Sequence, residues 1–547
     1  MHRMYASVDL EDLRRDTWHG GQLLAFSGID GATDYDNALT ARTAFGTPGL
    51  DIKIPGECLI RFPQNEHTAN TVTGDWFQIG EGEEKTRGVL LDTHHLIVEG
   101  PCQVVQSAPD IAVRTDGIRT LIGAAAHFDP GNINADWETV QRERRRWLEN
   151  LHIPSGLGTA QRRTLIKCLS VLKTQVYQPE GLNRHRWTTP DRWPHRRMWL
   201  WDSAFHAIGW RHLDPELARD AIAAVLDRQA PDGFIAHMMD PWSTSRITQP
   251  PVLALAVKLI HEVAPNDAWL KSVYPQLCAY VEWDMAHRDS DGEGLVEWAI
   301  EGNPLSRSGE SGMDNSPRFD AATRMDAVDF NAFLAMEGEI LAGMAAAMGC
   351  SADVTQWESR HQRLCRLIDQ RLWSEAYGFY VDFDIERNEP SSVLASSGFL
   401  PLLCGAASPA QAQRLAEHLR DPDMFGTPFP VPSIAVRDTD HYCKDMWRGP
   451  VWINLNWLIA RGFERYGFTD IAAGLRTRTV REIERYCDRF GVPFEFYDDR
   501  QEVSPPELLR KGQCAPDENP YHQVFHDYGW TASLYVDLVY STHGARA

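Results

Sequence analysis

The stretch ESGMDNSPRFD, residues 310–320, sets Glu310 and Asp314 four positions apart in a run that also holds Gly312, Asn315, Ser316 and Pro317. Gly309, Gly312 and Pro317 break regular structure, so both acids are expected on a loop, where functional groups concentrate. An Asx turn leading into a helix cap would use the same residue types for structure alone. A second acid, Glu495 in GVPFEFYDDR, lies 181 residues after Asp314. Alternation on a short extended segment turns it to the face opposite Phe494 and Phe496. A lone carboxylate beside aromatic rings loses solvation and its pKa rises, which readies it for proton transfer near neutrality. An exposed glutamate near a turn is the plainer alternative. Cleavage of a glycosidic bond needs such a pair, one acid to protonate the leaving oxygen and one carboxylate to activate water or attack carbon.

The elements that must bring these acids together fall into two kinds. Residues 20–130 carry short runs of strand character, among them GLDIKIP, CLIRFP, DWFQIG and GVLLDTHHLIVEG, divided by Gly, Pro, Asn and Asp, as in the hairpins of an antiparallel all-β unit. DWETVQRERRRWLENLHIP follows, with acids early and arginines late, the order a helix dipole favours. It reads as a helical linker ending at Pro154. From about 155 onward helical periods dominate. In DPELARDAIAAVLDRQAPDG, Asp214 caps, Pro215 occupies the first turn, and Leu217, Ala221, Ala224 and Val225 form one stripe. Eleven or twelve such helices are expected. PPVLALAVKLIHEVA and FNAFLAMEGEILAGMAAAM are apolar over more than one face and must be covered on both sides, as in an inner ring surrounded by an outer one. The expected architecture is mainly α: an (α/α)6 toroid over residues 155–547, a β-sandwich-like domain over 1–132, and the helical linker over 133–154. A helical bundle or solenoid is the alternative, although no fixed-length repeat supports a solenoid.

Composition narrows the partner. The 547 residues are 43% hydrophobic and 24% charged, and 54 Lys and Arg against 76 Asp and Glu give a net charge of -22. That balance disfavours nucleic acid and anionic membrane, both polyanions, and suits a neutral or cationic small molecule better. The start lacks the apolar core of a secretory signal and no run is long enough to span a bilayer, so the expectation is a cytoplasmic protein. The ten cysteines (58, 102, 168, 278, 350, 365, 404, 443, 487 and 514) form no C-x-x-C pair and signal neither a disulfide framework nor a zinc site. Asp289, Asp291 and Glu293 alternate as in a calcium loop, yet the bidentate acid required at loop position 12 falls on Ile300. No metal and no cofactor is expected. The 19 tryptophans, several of them in RMWLWDSAFHAIGWRH and DMWRGPVWINLNWL, serve core packing or stack on pyranose rings.

RMWLWDSAFHAIGW, ESGMDNSPRFD, DMWRGPVWINLNWLIARGFERYG, PFEFYDD and FHDYGWTASLY, in this order over residues 155–541, resemble the motif set of glycoside hydrolase family 63 and its mannosylglycerate-hydrolase-like relatives. The resemblance implies an (α/α)6 catalytic domain that inverts configuration at an α-linked glucose or mannose. It implies Asp314 as the general acid and Glu495 as the general base. It places Trp199, Trp201, Asp202, His206, Gln249, Glu310, Asn315, Trp447, Arg448, Gly449, Trp452, Asn454, Tyr497 and Trp530 at the sugar, with His206 equally readable as a structural histidine and Glu310 as a group that orients Asp314. Calcium enters only through the resemblance, since some family members bind it. The long segment after Glu495 departs from the family pattern. Its Arg510 and Lys511 are candidates to receive an anionic aglycone such as glycerate.

The sequence is therefore expected to encode an exo-acting inverting α-glycoside hydrolase, an α-glucosidase in the first instance, acting on a small glycoside. An α-mannosidase or a glycosylglycerate hydrolase is the near alternative. An inverting glycoside phosphorylase and a non-catalytic carbohydrate-binding protein are the more distant ones. Nothing in the sequence indicates an oligomeric state.

Overall fold

The computed structural model describes residues 5–303, 305–512 and 520–543. The amino-terminal region is built on two antiparallel sheets. One has five strands, in the order Gln103–Ser107, Cys58–Arg61, Gly49–Ile54, Thr40–Thr43 and Leu23–Ala25; the other has six, in the order Ile111–Asp116, Arg119–Ala124, His95–Glu99, Thr86–Leu90, Trp76–Ile79 and Asn70–Val72. Side-chain alternation sorts the second sheet into two faces. Leu90, Leu96, Val98 and Ile122 join Leu24, Leu50, Ile52 and Ile60 in an apolar cluster between the sheets. Val89, Ile97 and Leu121 point the other way, into the core shared with the helices.

The linker helix α1, Trp137–Glu149, is capped by Asp136, whose side chain accepts from the Thr139 amide. It stops earlier than expected. His152–Pro154 instead forms a strand paired with Tyr5–Ser7, because proline has no amide hydrogen for a further helical turn and the extended segment finds a partner. Twelve further helices follow among the described residues: α2 (Thr159–Thr174), α3 (Leu200–Trp210), α4 (Pro215–Leu226), α5 (Leu253–Val263), α6 (Asp267–His287), α7 (Val328–Met348), α8 (Ser351–Leu367), α9 (Pro401–Cys404), α10 (Pro409–Arg420), α11 (Ile453–Arg465), α12 (Thr469–Phe490) and α13 (Gly529–His543). The Asp214 carboxylate accepts from the Glu216 and Leu217 amides, and Pro215 opens α4.

Helices α3, α5, α7, α9, α11 and α13 touch one another in that order, and α13 closes on α3. Helices α4, α6, α8, α12 and α2 form a second set, each packed on one or two of these six. Burial follows this division: every residue of α3 is buried, whereas α8 buries only Trp357 and Leu364. No described helix is long and apolar enough to cross a membrane. The nine described cysteines are all free, and Cys514 lies outside the described residues.

Buried ion clusters fix the pieces. At the seam between sheets and helices, Lys173 of α2 pairs with Asp30 at 2.9 Å and Asp75 at 2.5 Å. In front of α7, Arg318 grips Asp329 (2.6 Å) and Asp382 (2.7 Å), all three side chains being almost wholly buried. Removing one partner of such a cluster strands the other charges in a medium that cannot solvate them. Arg318→Met is expected to lower stability by about 3–5 kcal/mol, read as a drop in the urea midpoint. An unchanged midpoint would show that the cluster contributes nothing net.

Candidate active site

Asp314 sits on the long connection between α6 and α7. Its carbonyl accepts from the Arg307 amide at 2.8 Å. Ser311 Oγ donates to the Ser308 carbonyl and accepts from the Met313 amide. Gly312 lies between these contacts with φ +70°, and a Cβ there would stand 2.4 Å from Trp201 Cζ2. The glycine thus serves both a left-handed turn and a close approach to the indole. Pro317 then opens a single helical turn, Pro317–Phe319, that carries Arg318 into its ion cluster.

Glu495 follows α12, which Gly491 closes in the left-handed conformation. Its amide donates to the Phe525 carbonyl at 3.0 Å, and its carboxylate is only 2% exposed. It is not a lone carboxylate. Arg510 meets it with two parallel bonds, Nε to Oε2 at 3.0 Å and Nη2 to Oε1 at 3.2 Å. Arg510 also donates to the Tyr521 carbonyl and lies 4.2 Å over the Phe525 ring. The next residue, Lys511, holds φ +57° and places Nζ 2.8 Å from Asp314 Oδ2. Two consecutive cations therefore hold the two acids. Burial alone would raise the Asp314 pKa, but the Lys511 ammonium, helped by Arg510, outweighs it and keeps the carboxyl below its ordinary value.

Both acids open onto one small cavity. Trp199, Trp201, Trp452, Tyr528 and Trp530 form its aromatic wall, and Asp202, Gln249 and Arg510 join the two acids as its polar groups. Burial, reinforced by the Glu495 charge, pushes Asp202 well above the usual carboxylate range. A wider outer cavity of about 790 Å³ begins at His195, Trp199 and Asp314, residues it shares with the inner one. Lys511, Arg196, Arg197 and His237 line it, together with Asp240 and Glu301 and, from the sheet region, Tyr35 and Asp36.

Of the residues expected at the sugar, Trp199, Trp201, Asp202, Gln249, Trp452 and Trp530 line the inner cavity along with Asp314 and Glu495. The other eight stand behind it. Glu310 is fully buried, forms a two-bond ion pair with Arg288 and accepts from the Thr248 and Ala299 amides. It braces the loop instead of facing ligand. His206 Nδ1 and Thr188 Oγ1 share a hydrogen bond of 2.9 Å, and burial pushes the histidine pKa down to about 3. Asn315 Oδ1 accepts from the Trp447 amide, tying the Asp314 loop to that segment, and Trp447 stacks flat on the back of Trp452 at 3.8 Å. Arg448 is held by Asp320 at 2.5 Å. Gly449 is required by close packing, since a Cβ would meet the Cys443 carbonyl at 1.9 Å. Asn454 is buried in the first turn of α11, and the Tyr497 hydroxyl accepts from the Phe494 amide.

The structure adds Gly312, Tyr528 and His195 to the wall. Tyr528 was within reach of the sequence, two residues before Trp530 in FHDYGW; His195 carried no such signal. Arg510, a candidate for an anionic aglycone, is bound to Glu495. The Asp289 to Glu293 stretch forms turns in which Asp289 and Asp291 accept from the Gly292 and Glu293 amides.

The family model of the mannosylglycerate hydrolase MGH1-like glycoside hydrolase domain matches residues 194–500. The mannosylglycerate hydrolase of Thermus thermophilus is 28% identical over 400 residues, covering 58% of this chain and 92% of that protein. The glucosylglycerate hydrolase of Mycolicibacterium hassiacum is 26% identical over 388 residues, covering 54% of this chain and 85% of that protein. A solved structure of a GH63 mannosylglycerate hydrolase, also from Thermus thermophilus and in complex with glucose, superposes with a TM-score of 0.55 at 27% identity, covering 68% of this chain and 98% of that one.

Gly312→Ala is expected to cost about 1–3 kcal/mol, the range for a non-glycine residue forced into a left-handed turn, and to shift the tryptophan emission as Trp201 yields. Unfolding and emission both identical to the parent protein would show that the turn tolerates a side chain.

Proposed function

Because the chain belongs to the mannosylglycerate hydrolase MGH1-like glycoside hydrolases, we propose that this glycoside hydrolase cleaves an α-linked glucosyl- or mannosylglycerate with inversion, inside an (α/α)6 toroid formed by α2–α13. In this reading residues 1–132 are a β-sandwich-like domain packed on the toroid, 133–154 the linker, and 155–547 the catalytic domain. The glycone occupies the inner cavity against its tryptophans. Asp314 protonates the glycosidic oxygen. Glu495 takes a proton from the water that attacks C1 from the opposite face, a route that calls for carboxyl groups about 6.5–9.5 Å apart to admit that water.

The observation that carries this reading is that both acids open on one aromatic-walled cavity, each held by a cation from one dipeptide. An anionic aglycone is favoured over the plain α-glucosidase reading by the place of Lys511. The oxygen that Asp314 protonates belongs to the aglycone, so the cation beside Asp314 on the outer-cavity side faces the aglycone and not the sugar. Arg196 and Arg197 also line the outer cavity but pair with Asp36 and Asp240, so Lys511 is the one of these three cations whose exchange bears on Asp314. A glycerate carboxylate that draws Lys511 away from Asp314 would raise the Asp314 pKa and favour the protonated form the reaction needs.

Proton NMR of the first-formed sugar from glucosylglycerate or mannosylglycerate is expected to show the β-anomer. Release of the α-anomer, or turnover only with added inorganic phosphate, would contradict inverting hydrolysis. Asp314→Asn and Glu495→Gln are each expected to lower kcat about 10²–10⁴-fold with the fold intact; near-parental turnover in either would remove that residue from its role. Lys511→Met is expected to move the alkaline limb of kcat/KM to higher pH, because the cation that holds the free-enzyme Asp314 pKa down is gone, and to raise KM for glycosylglycerates more than for uncharged α-glucosides. A limb that stays in place, or KM values that rise equally, would argue against this role for Lys511.

A further inference from the structure

Outside the cavity, on the sheet region, Asp34, His94 and His127 bring one carboxylate oxygen and two imidazole nitrogens within 4.8 Å of one another. From these residues we propose a binding site for a divalent zinc-class cation, with Asp34 Oδ2, His94 Nε2 and His127 Nε2 as ligands and water in the remaining position. The donors are of the right type, since neutral imidazole with carboxylate suits zinc and its neighbours better than calcium or magnesium, which prefer oxygen. The spacing is right as well. Two ligands on a tetrahedral zinc stand about 3.3 Å apart, from bond lengths of about 2.0–2.2 Å. Asp34 Oδ2 lies 2.9 Å from His94 Nε2 and 3.6 Å from His127 Nε2, so the pair of distances brackets that value.

Asp34 and His94 are held before any metal arrives. Asp34 Oδ1 accepts from the Asp36 and Asn37 amides, which leaves Oδ2 for the histidines and the Asn37 side chain. The His94 amide is held by Asp92. The two imidazoles stack at 4.2 Å, 15° from parallel, with each Nε2 within 3.6 Å of Asp34 Oδ2, and the more exposed His127 ring turns from the stack for both nitrogens to meet one ion. His127 is 44% exposed, which leaves a path for the ion and its water. When the cation binds His94 Nε2, the proton there moves to Nδ1 or, from an imidazolium, passes to solvent, so the bound imidazole is neutral with its proton on Nδ1.

The site has a consequence for the cavity entrance. Asp34 begins the turn whose next residues, Tyr35 and Asp36, line the outer cavity. Asp36 accepts from Trp242 Nε1 at 3.1 Å, and Arg196 lies 4.2 Å over the Tyr35 ring. A metal at Asp34 would clamp this turn to the segment bearing His94 and so hold the rim that the sheet region contributes. Calling the rim part of a substrate entrance rests on the proposed function; metal binding does not, and it is measured without activity.

The test is calorimetric titration of the full chain, stripped with EDTA, with zinc sulfate, supported by the visible spectrum of the cobalt(II) form. One saturable equivalent is expected for the parent protein. His127→Ala, whose side chain is exposed enough to spare the fold, and His94→Ala should each weaken it by about tenfold or more, since loss even of the partners behind a metal ligand costs about 10–100-fold. His185→Ala, an exposed histidine paired with Asp227, should retain the equivalent. Hydrogen exchange across residues 34–38 should slow on saturation. Absence of a saturable equivalent in the parent protein, or an equivalent that survives both His94→Ala and His127→Ala, would overturn the site. Exchange unchanged by zinc would overturn the clamp.

Discussion

Two acids turned towards one enclosed cavity repel each other and resist losing water, and unrelieved they would take up protons or push the cavity open. Arg510 and Lys511 relieve both costs from a single segment, one guanidinium on Glu495 and one ammonium on Asp314. Much of the surrounding structure serves to hold that dipeptide. The Leu509 amide donates to the Lys444 carbonyl, Asp445 accepts from the Gly512 amide, and Arg510 rests on Phe525. The same 444–447 segment receives the Asp314 loop through Asn315. Displacing any one of these pieces moves both carboxylates.

The two cations differ in a way that matters for chemistry. Arginine stays charged and its planar fork matches a carboxylate, which suits a group whose position must not vary. Lysine is a single mobile point charge, and this one sits in a strained backbone conformation at the border between the two cavities. A proton acceptor held rigidly and a proton donor held by an exchangeable partner are what an acid–base pair with separate duties calls for. The sheet region supports the same site from behind. Leu23 donates its amide to Asp527, which also pairs with Lys167 of α2, immediately before Tyr528 and Trp530 of the aromatic wall.

Helices long enough to show a repeating stripe were legible in the sequence. For α4, the cap at Asp214, the proline and the stripe all match the structure. Helix α9 was not legible, because four residues cannot display a 3.6-residue period, and its place in the inner series depends on the neighbours it touches. The strand at His152–Pro154 was missed because its partner, Tyr5–Ser7, lies at the other end of the region. Within the site, motif resemblance drew attention to the right segments without separating the residues that face the cavity from those that hold them. Trp452 and Trp447 stack face to face, yet only Trp452 lines the cavity; Asp314 reaches it and Glu310, four residues earlier, is consumed by Arg288 and two amides. Both kinds of residue are fixed at the same spacing by the same fold. The net charge of -22 likewise gave no sign of the cations gathered beside the two acids, since a total says nothing about where charges sit.

In the proposed reaction one glycosidic bond lies between Asp314 and Glu495. The most direct measurement is a crystal structure of the Asp314→Asn protein with an intact glycosylglycerate bound. The account predicts the sugar against Trp201 and Trp452, the glycosidic oxygen within hydrogen-bonding reach of residue 314, and a water between C1 and Glu495. A substrate seated with either residue remote from the scissile bond, or with Glu495 in direct contact with C1 and no room for water, would contradict it.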